Sequence, residues 1–236
     1  MDKKIYVFDV GNTLIVKPDK TISQATCDAL KSLRQSGNIV GIASMRNKEQ
    51  LMCIKPLTTF DFFIGLNGSY VESNGNVVIE SPLSSKDMES IYGYVSENRM
   101  KCVLHTKTNL ISADDWHNEK VFVVELFNVE QQVERLTNFL GNRFTYHIWE
   151  RGKTCDIYSK TVSKSIALQK ICIRYGMNGQ NCIAFGDGFN DIELFKFCGK
   201  SVAMATAPDE LKKVATYITK SAKDDGVVWA LNNYKL

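Results

Sequence analysis

Apolar positions fall into short runs, and the stretches between them carry helical spacing. The run Ile5-Tyr6-Val7-Phe8 is short enough to be a buried parallel strand. It ends at Asp9-Val10-Gly11-Asn12, where Gly-Asn turns the chain. Ser23 to Gln35 then sets Ala25, Ala29, Leu30 and Leu33 on one helical face, with Gly37 as its stop. Asn38 to Ala43 is a second strand, ending at Ser44-Met45-Arg46. A helix from Asn47 to about Lys55 closes at Pro56, and Phe60 to Ile64 is a third strand, ending at Asn67-Gly68. This alternation predicts a doubly wound, mostly parallel sheet.

The rhythm changes after Val71. Asn74-Gly75-Asn76 marks a hairpin between Tyr70-Val71 and Val77-Val78-Ile79. Helices follow at about Ser85 to Asn98 and Glu130 to Leu140. Short strands surround them at Cys102–His105, Asn109–Ala113, Val121–Leu126, Phe144–Trp149 and Thr154–Ser159. Closely spaced strands with two helices predict a small α+β domain with an antiparallel sheet. The βαβ pattern resumes with a helix at Val162–Tyr175, a strand at Asn181–Phe185, a helix at Ile192–Phe197 and further short elements to the end. The expected organisation is therefore a core made of residues 1–81 and 154–236, interrupted by an inserted domain at 82–153.

Two strand ends carry the candidate chemistry. A carboxylate at the end of a buried strand costs free energy unless a cation or hydrogen bonds compensate it. Asp9 is one. The other is Gly186-Asp187-Gly188-Phe189-Asn190-Asp191, which follows the strand Asn181–Phe185. Two such loops in one sheet can converge on a divalent cation, and a hard ion such as Mg²⁺ takes oxygen ligands and commonly bridges to phosphate. Ser44, at a third strand end, offers a hydroxyl and the amides of a helix start to a phosphate.

With Asp9, these motifs resemble the haloacid dehalogenase superfamily, and specifically its Cof-type branch with a type IIB cap. The similarity runs through the tail, Ser201-Val202-Ala203-Met204, Pro208-Asp209-Glu210-Leu211-Lys212 and Asp225-Gly226-Val227. The resemblance implies a Rossmann-like core, an inserted α+β cap and phosphoryl transfer through an aspartyl-phosphate on Asp9. It implies Lys164 as the cation that neutralises phosphate and orients Asp9. Mg²⁺ would be held by Asp9, Asp187, Asp191 and the backbone carbonyl of Gly11. Asn190 would support the lysine, the metal waters and the phosphate, and Arg46, Asn67 and Gly68 would contact the substrate or the cap hinge. The expected partner is a small phosphorylated metabolite, bound by a monomer or homodimer.

One position departs from the pattern. Most phosphatases of this superfamily carry a second Asp two residues after the nucleophile, where this chain has Gly11. That Asp protonates the leaving group and then activates water, general acid–base help of about 10²–10⁴ in rate. Three readings follow: a hydrolase working without that acid, a binding protein that has lost turnover, and a phosphotransferase.

Composition narrows the setting. A formal net charge of +3 with scattered lysines argues against a nucleic-acid partner. No apolar run approaches the ~20 residues of a membrane span. Asp2, Lys3 and Lys4 lead straight into the first strand, so no secretory leader is expected. Seven cysteines without a CxxC spacing are expected to be reduced, in a cytoplasmic protein. His105, His117 and His147 show no metal-ligand spacing; Trp116, Tyr146 and Trp149 offer themselves either to line a substrate pocket over the active site or, the expected role, to pack within the cap.

Overall fold

The computed structural model describes residues 3–16, 21–52 and 60–236. The first apolar runs form parallel strands β1 (Ile5–Phe8), β2 (Ile39–Ala43) and β3 (Phe62–Gly65), with Ile5 opposite Ile39 and Gly41 opposite Phe62. Helix α1 (Gln24–Gln35) joins β1 to β2, its first turn capped by the Ser23 hydroxyl, which accepts the Thr26 amide. Helix α2 (Lys48–Met52) starts later than expected, because Asn47 and Gln50 exchange backbone and side-chain hydrogen bonds there. The amides after Ser44 therefore belong to a loop and not to a helix start. The end of this helix at Lys55-Pro56 falls outside the described residues. The hairpin of β4 (Tyr70–Ser73) and β5 (Asn76–Glu80) extends the same sheet antiparallel beyond β3.

The inserted domain holds helix α3 (Ser85–Glu97), strands β6 (Lys101–His105), β7 (Leu110–Ile111) and β8 (Val123–Phe127), helix α4 (Val133–Leu140), and strands β9 (Phe144–Trp149) and β10 (Thr154–Ser159). Its sheet is antiparallel in the order β7-β6-β8-β10-β9. One face packs Leu104, Val124, Leu126, Cys155 and Ile157 against Ile91, Val95, Leu136 and Leu140 of the two helices. Strand residues of the other parity, among them Glu125, His147, Trp149, Asp156 and Tyr158, lie on the opposite face.

This sheet corrects the expected boundary at residue 153. Strand β10 lies between β8 and β9 and belongs to the inserted domain. The crossings are the short segments Ser81–Ser84 and Lys160–Ser163, between β5 and α3 and between β10 and the next helix.

The core then resumes with helix α5 (Lys164–Arg174), strand β11 (Cys182–Gly186), helix α6 (Ile192–Phe197), strand β12 (Lys200–Ala203), helix α7 (Asp209–Val214), strand β13 (Tyr217–Ile218) and helix α8 (Gly226–Asn233). The core sheet has the order β13-β12-β11-β1-β2-β3-β4-β5. Alternate strand residues face opposite layers. Tyr6, Phe8, Ile42 and Phe185 pack with Leu30, Val227 and Ala230 on one side. Val7, Ala43, Ile64 and Ala184 pack with Leu168, Ile171, Leu194 and Leu211 on the other. No helix among the described residues is long and apolar enough to cross a membrane. Among the described residues Cys102, Cys155, Cys172, Cys182 and Cys198 are free thiols, all buried except half-buried Cys102; Cys27 is buried too, and Cys53 lies outside the described residues.

Candidate active site

Three neighbouring strands end at one edge, where open α/β sheets bind ligands. Phe8 of β1 lies opposite Phe185 of β11, and the Asp9 amide donates to the Phe185 carbonyl at 2.8 Å. This register brings Asp9 beside the Asp187 loop. On the far side of β1, Ser44 follows β2 directly, and its amide donates to the Ile64 carbonyl at 2.8 Å. The sheet thus lines up Asp187, Asp9 and Ser44 in that order.

Lys164, the first residue of α5, reaches into this edge and is 1% exposed. Its ammonium donates to Asp9 Oδ1 at 2.7 Å and to Asp191 Oδ1 at 2.8 Å. A helix dipole disfavours a cation at its N-terminus. Burial also opposes the charge, but Asp191 and Asp9 outweigh it and hold the ammonium well above its ordinary pKa. Burial pushes the Asp9 carboxyl up to about 8 against the pull of Lys164, with Asp191 and Asp187 raising it further.

Asp191 is fully buried and organises the acidic loop. Its Oδ2 accepts the amides of Asp187 at 3.1 Å and Gly188 at 3.0 Å. Gly186 makes that turn possible, since a Cβ there would stand 2.4 Å from Asp191 Oδ2. Asn12, at φ 53°, donates from Nδ2 to Asp187 Oδ2 at 3.1 Å. Asp9, Asp187 and Asp191 each bring a carboxylate oxygen within 4.8 Å of the others. An all-oxygen donor set of this kind fits a hard divalent cation.

The remaining expected residues divide between the cavity and its support. Gly11, Ser44, Arg46 and Asn190 line a cavity of about 510 Å³ together with Asp9 and Asp187. Burial lowers the pKa of the Arg46 guanidinium, and Asp9 opposes that shift. Asn67 and Gly68 are not among its described lining residues; of the two expected roles, substrate contact or cap hinge, Gly68 matches the second, beside Ser163 of the crossing Lys160–Ser163. Asn67 accepts a hydrogen bond from Asn190 Nδ2 at 3.0 Å. Gly68, at φ 101°, presses against the turn before α5 so closely that a Cβ would stand 2.3 Å from the Ser163 carbonyl oxygen. Both brace the site from behind.

The inserted domain supplies a wall of the cavity through Glu125, Trp149, Glu150, Thr154 and Asp156; of these, sequence reasoning missed all but Trp149. Trp116 and Tyr146 do pack in the core of that domain, whereas Trp149 faces the cavity. The Trp149 indole donates to Asp156 Oδ2 at 2.7 Å, while Asp156 Oδ1 is buried without a hydrogen-bond partner. Burial pushes the Asp156 carboxyl up to about 7; the Trp149 bond pulls it down and Glu125 pushes it up. His105 Nε2 lies 2.9 Å from Glu125 Oε2, and His147 Nε2 lies 2.9 Å from the Tyr158 hydroxyl. Burial, then Lys164, lowers His147 to about 4. The signal available was the period-two alternation of β10, with Cys155 and Ile157 turned away from Asp156 and Tyr158.

The family model of haloacid dehalogenase-like hydrolases matches residues 6–148 and 114–231. The chain belongs to this family. It is 28% identical over 257 residues to a longer Streptococcus pyogenes relative named as a bifunctional phosphatase/peptidyl-prolyl cis-trans isomerase. That match covers 99% of this chain but only 54% of the relative. It is 25% identical over 268 residues to the Bacillus subtilis 5-amino-6-(5-phospho-D-ribitylamino)uracil phosphatase YitU, with 99% of each chain covered. The solved structure of the subclass IIB sugar phosphatase BT4131 superposes with a TM-score of 0.84 at 20% identity, covering 98% of each chain, which shows a shared fold.

Proposed function

We propose that this protein is a Mg²⁺-dependent phosphomonoester hydrolase acting on a small phosphorylated metabolite such as a sugar phosphate. The observation that carries the reading is Lys164 bridging Asp9 and Asp191 inside a set of three convergent carboxylates. Phosphoryl transfer needs an in-line nucleophile, a cation on the phosphate oxygens and hydrogen bonds to the transferring group.

An Asp9 carboxylate oxygen attacks phosphorus, the bond to the ester oxygen breaks, and the leaving oxygen takes its proton from water, since Gly11 carries no acid. Water then attacks the aspartyl-phosphate and releases inorganic phosphate, freeing Asp9. Lys164 orients Asp9 and offsets charge on the transferring group. The Ser44 hydroxyl and Arg46 are suited to hold the phosphate oxygens. Asp9, Asp187 and Asp191, with the Gly11 carbonyl, would hold Mg²⁺, which when bound neutralises phosphate charge. The name of the Bacillus subtilis relative, a phosphatase for a ribityl phosphate, supports the reaction class.

Gly11 favours a second reading, in which turnover is weak or lost and the protein binds or transfers phosphoryl groups. Phosphate release from sugar phosphates and nucleotides, with and without Mg²⁺, separates the two. Mg²⁺-dependent release is expected; ligand binding with no release with any ester would leave a binding protein.

A further inference from the structure

Asp156 is 1% exposed and faces the same cavity as Asp9. It stands in register with Glu125 on one side and His147 on the other, so one row of the sheet of the inserted domain carries all three. A buried carboxyl oxygen without a partner is costly, and Asp156 Oδ1 is such an atom. Its other oxygen is fixed by the Trp149 indole, which also spends the one polar hydrogen of that ring. Trp149 therefore turns carbon towards the cavity. Its tip comes close enough to the metal-site loop that a Cβ on Gly188 would stand 3.6 Å away.

The charges on this wall are of one sign. Among the described lining residues the inserted domain contributes Glu125, Glu150 and Asp156 and no lysine or arginine. Glu150 is drawn towards Lys153 at 3.1 Å, at the exposed rim. The lining cation is Arg46, on the opposite wall beside Asp9.

We infer that this wall reads the leaving group, with Asp156 Oδ1 accepting a hydrogen bond from a substrate hydroxyl and the Glu125–Asp156 pair rejecting a leaving group that carries a second anion. The carbon face of Trp149 complements the C–H face of the same polyol. The inference rests on the phosphomonoester reading of the site and adds the class of alcohol released: a hydroxyl-rich, uncharged one.

Binding tests it apart from turnover. In Asp9→Asn protein with Mg²⁺, calorimetry compares ribitol phosphate with phosphoglycolate, at about pH 8 so that Asp156 is ionised. The polyol ester is expected to bind at least about tenfold more tightly, as for a site built around a substrate hydroxyl. Adding Asp156→Asn should shrink that preference about tenfold. The Trp149 indole N–H selects the new amide's oxygen, so its NH₂ takes the place of Oδ1; a substrate hydroxyl turns to accept from it, but the negative charge that rejects a carboxylate is gone and the NH₂ welcomes one. If near-ultraviolet circular dichroism shows that variant misfolded, Glu125→Gln is read instead and should move the preference the same way. Equal affinities for the two esters, or a preference unmoved by the variant that folds, would overturn the inference while leaving hydrolysis intact. Ligand discrimination without phosphate release from wild type would keep it and refute the hydrolase reading. Failure of both esters to bind would overturn both.

Discussion

Gly11→Asp restores a carboxylate where the superfamily pattern has its acid and base. The backbone of Gly11 has no positive φ, and a Cβ built on it meets nothing within 4 Å, so the side chain enters open space without strain. Gly11 also lines the cavity, so the new carboxylate can reach the leaving oxygen. Two effects compete. General acid–base help lowers the barrier by about 3–5 kcal/mol, or ~10²–10⁴ in rate. Against it, the new carboxylate repels Asp9 and Asp187, a cost of about 3 kcal/mol per pair for charges about 6 Å apart at an effective dielectric of ~20. That repulsion acts in the metal-free protein and is offset by a bound divalent cation. The variant should therefore melt earlier than wild type without Mg²⁺, recover with it, and hydrolyse substrate faster. Rapid-quench single turnover isolates the step concerned, because decay of phosphorylated Asp9 should accelerate more than its formation. A folded, Mg²⁺-binding variant whose intermediate decays no faster would mean that another group already activates water.

Other perturbations probe the rest of the site. Asp187→Ala should weaken Mg²⁺ binding in calorimetry by at least ~10-fold, since even partners of metal ligands are worth 10–100-fold; equal affinity would remove Asp187 from the metal site. Lys164→Met strips the buried cation from Asp9 and Asp191 and should cost about 3–5 kcal/mol of stability, the usual effect of breaking a buried ion pair. An unchanged denaturant midpoint would mean that the pair carries no net stability. Asp156 gives a pH signature: burial raises its folded pKa from 3.8 to about 7, so the native state holds its proton where the unfolded chain has lost it. The resulting stability is fully present below about pH 4 and is lost as pH rises to about 7, an effect of up to ~4 kcal/mol. Thermal melts of wild type and Asp156→Asn across that window should converge at the acid end and separate towards neutrality; parallel curves would show that Asp156 titrates normally.

The core was legible because a parallel strand buried on both faces is an unbroken apolar run, as in Ile5–Phe8 and Cys182–Gly186. The polar residue that follows each run then marks the binding edge. The same linear logic misplaced Thr154–Ser159. The turn at Gly152 suggests a return to the core there, but Asp156 between Cys155 and Ile157 is the alternation of an antiparallel sheet with one polar face. For Asn67 and Gly68 the strand-end position leaves substrate contact and the cap hinge both open, and the close approach of Gly68 to Ser163, which spacing cannot reveal, favours the hinge. Which of the three cap aromatics lines the cavity is not legible, because the neighbours of Trp149 there, Gly188 and the acidic loop, lie far along the chain.

The most direct test of the site is chemical. Acid quench of the wild-type protein during turnover with Mg²⁺, followed by peptide mass spectrometry, should find one phosphoryl group on Asp9. It should be absent from Asp9→Asn, which should also release no phosphate. Phosphate release by Asp9→Asn at the wild-type rate, with no phosphorylated carboxylate in either protein, would exclude Asp9 as the nucleophile.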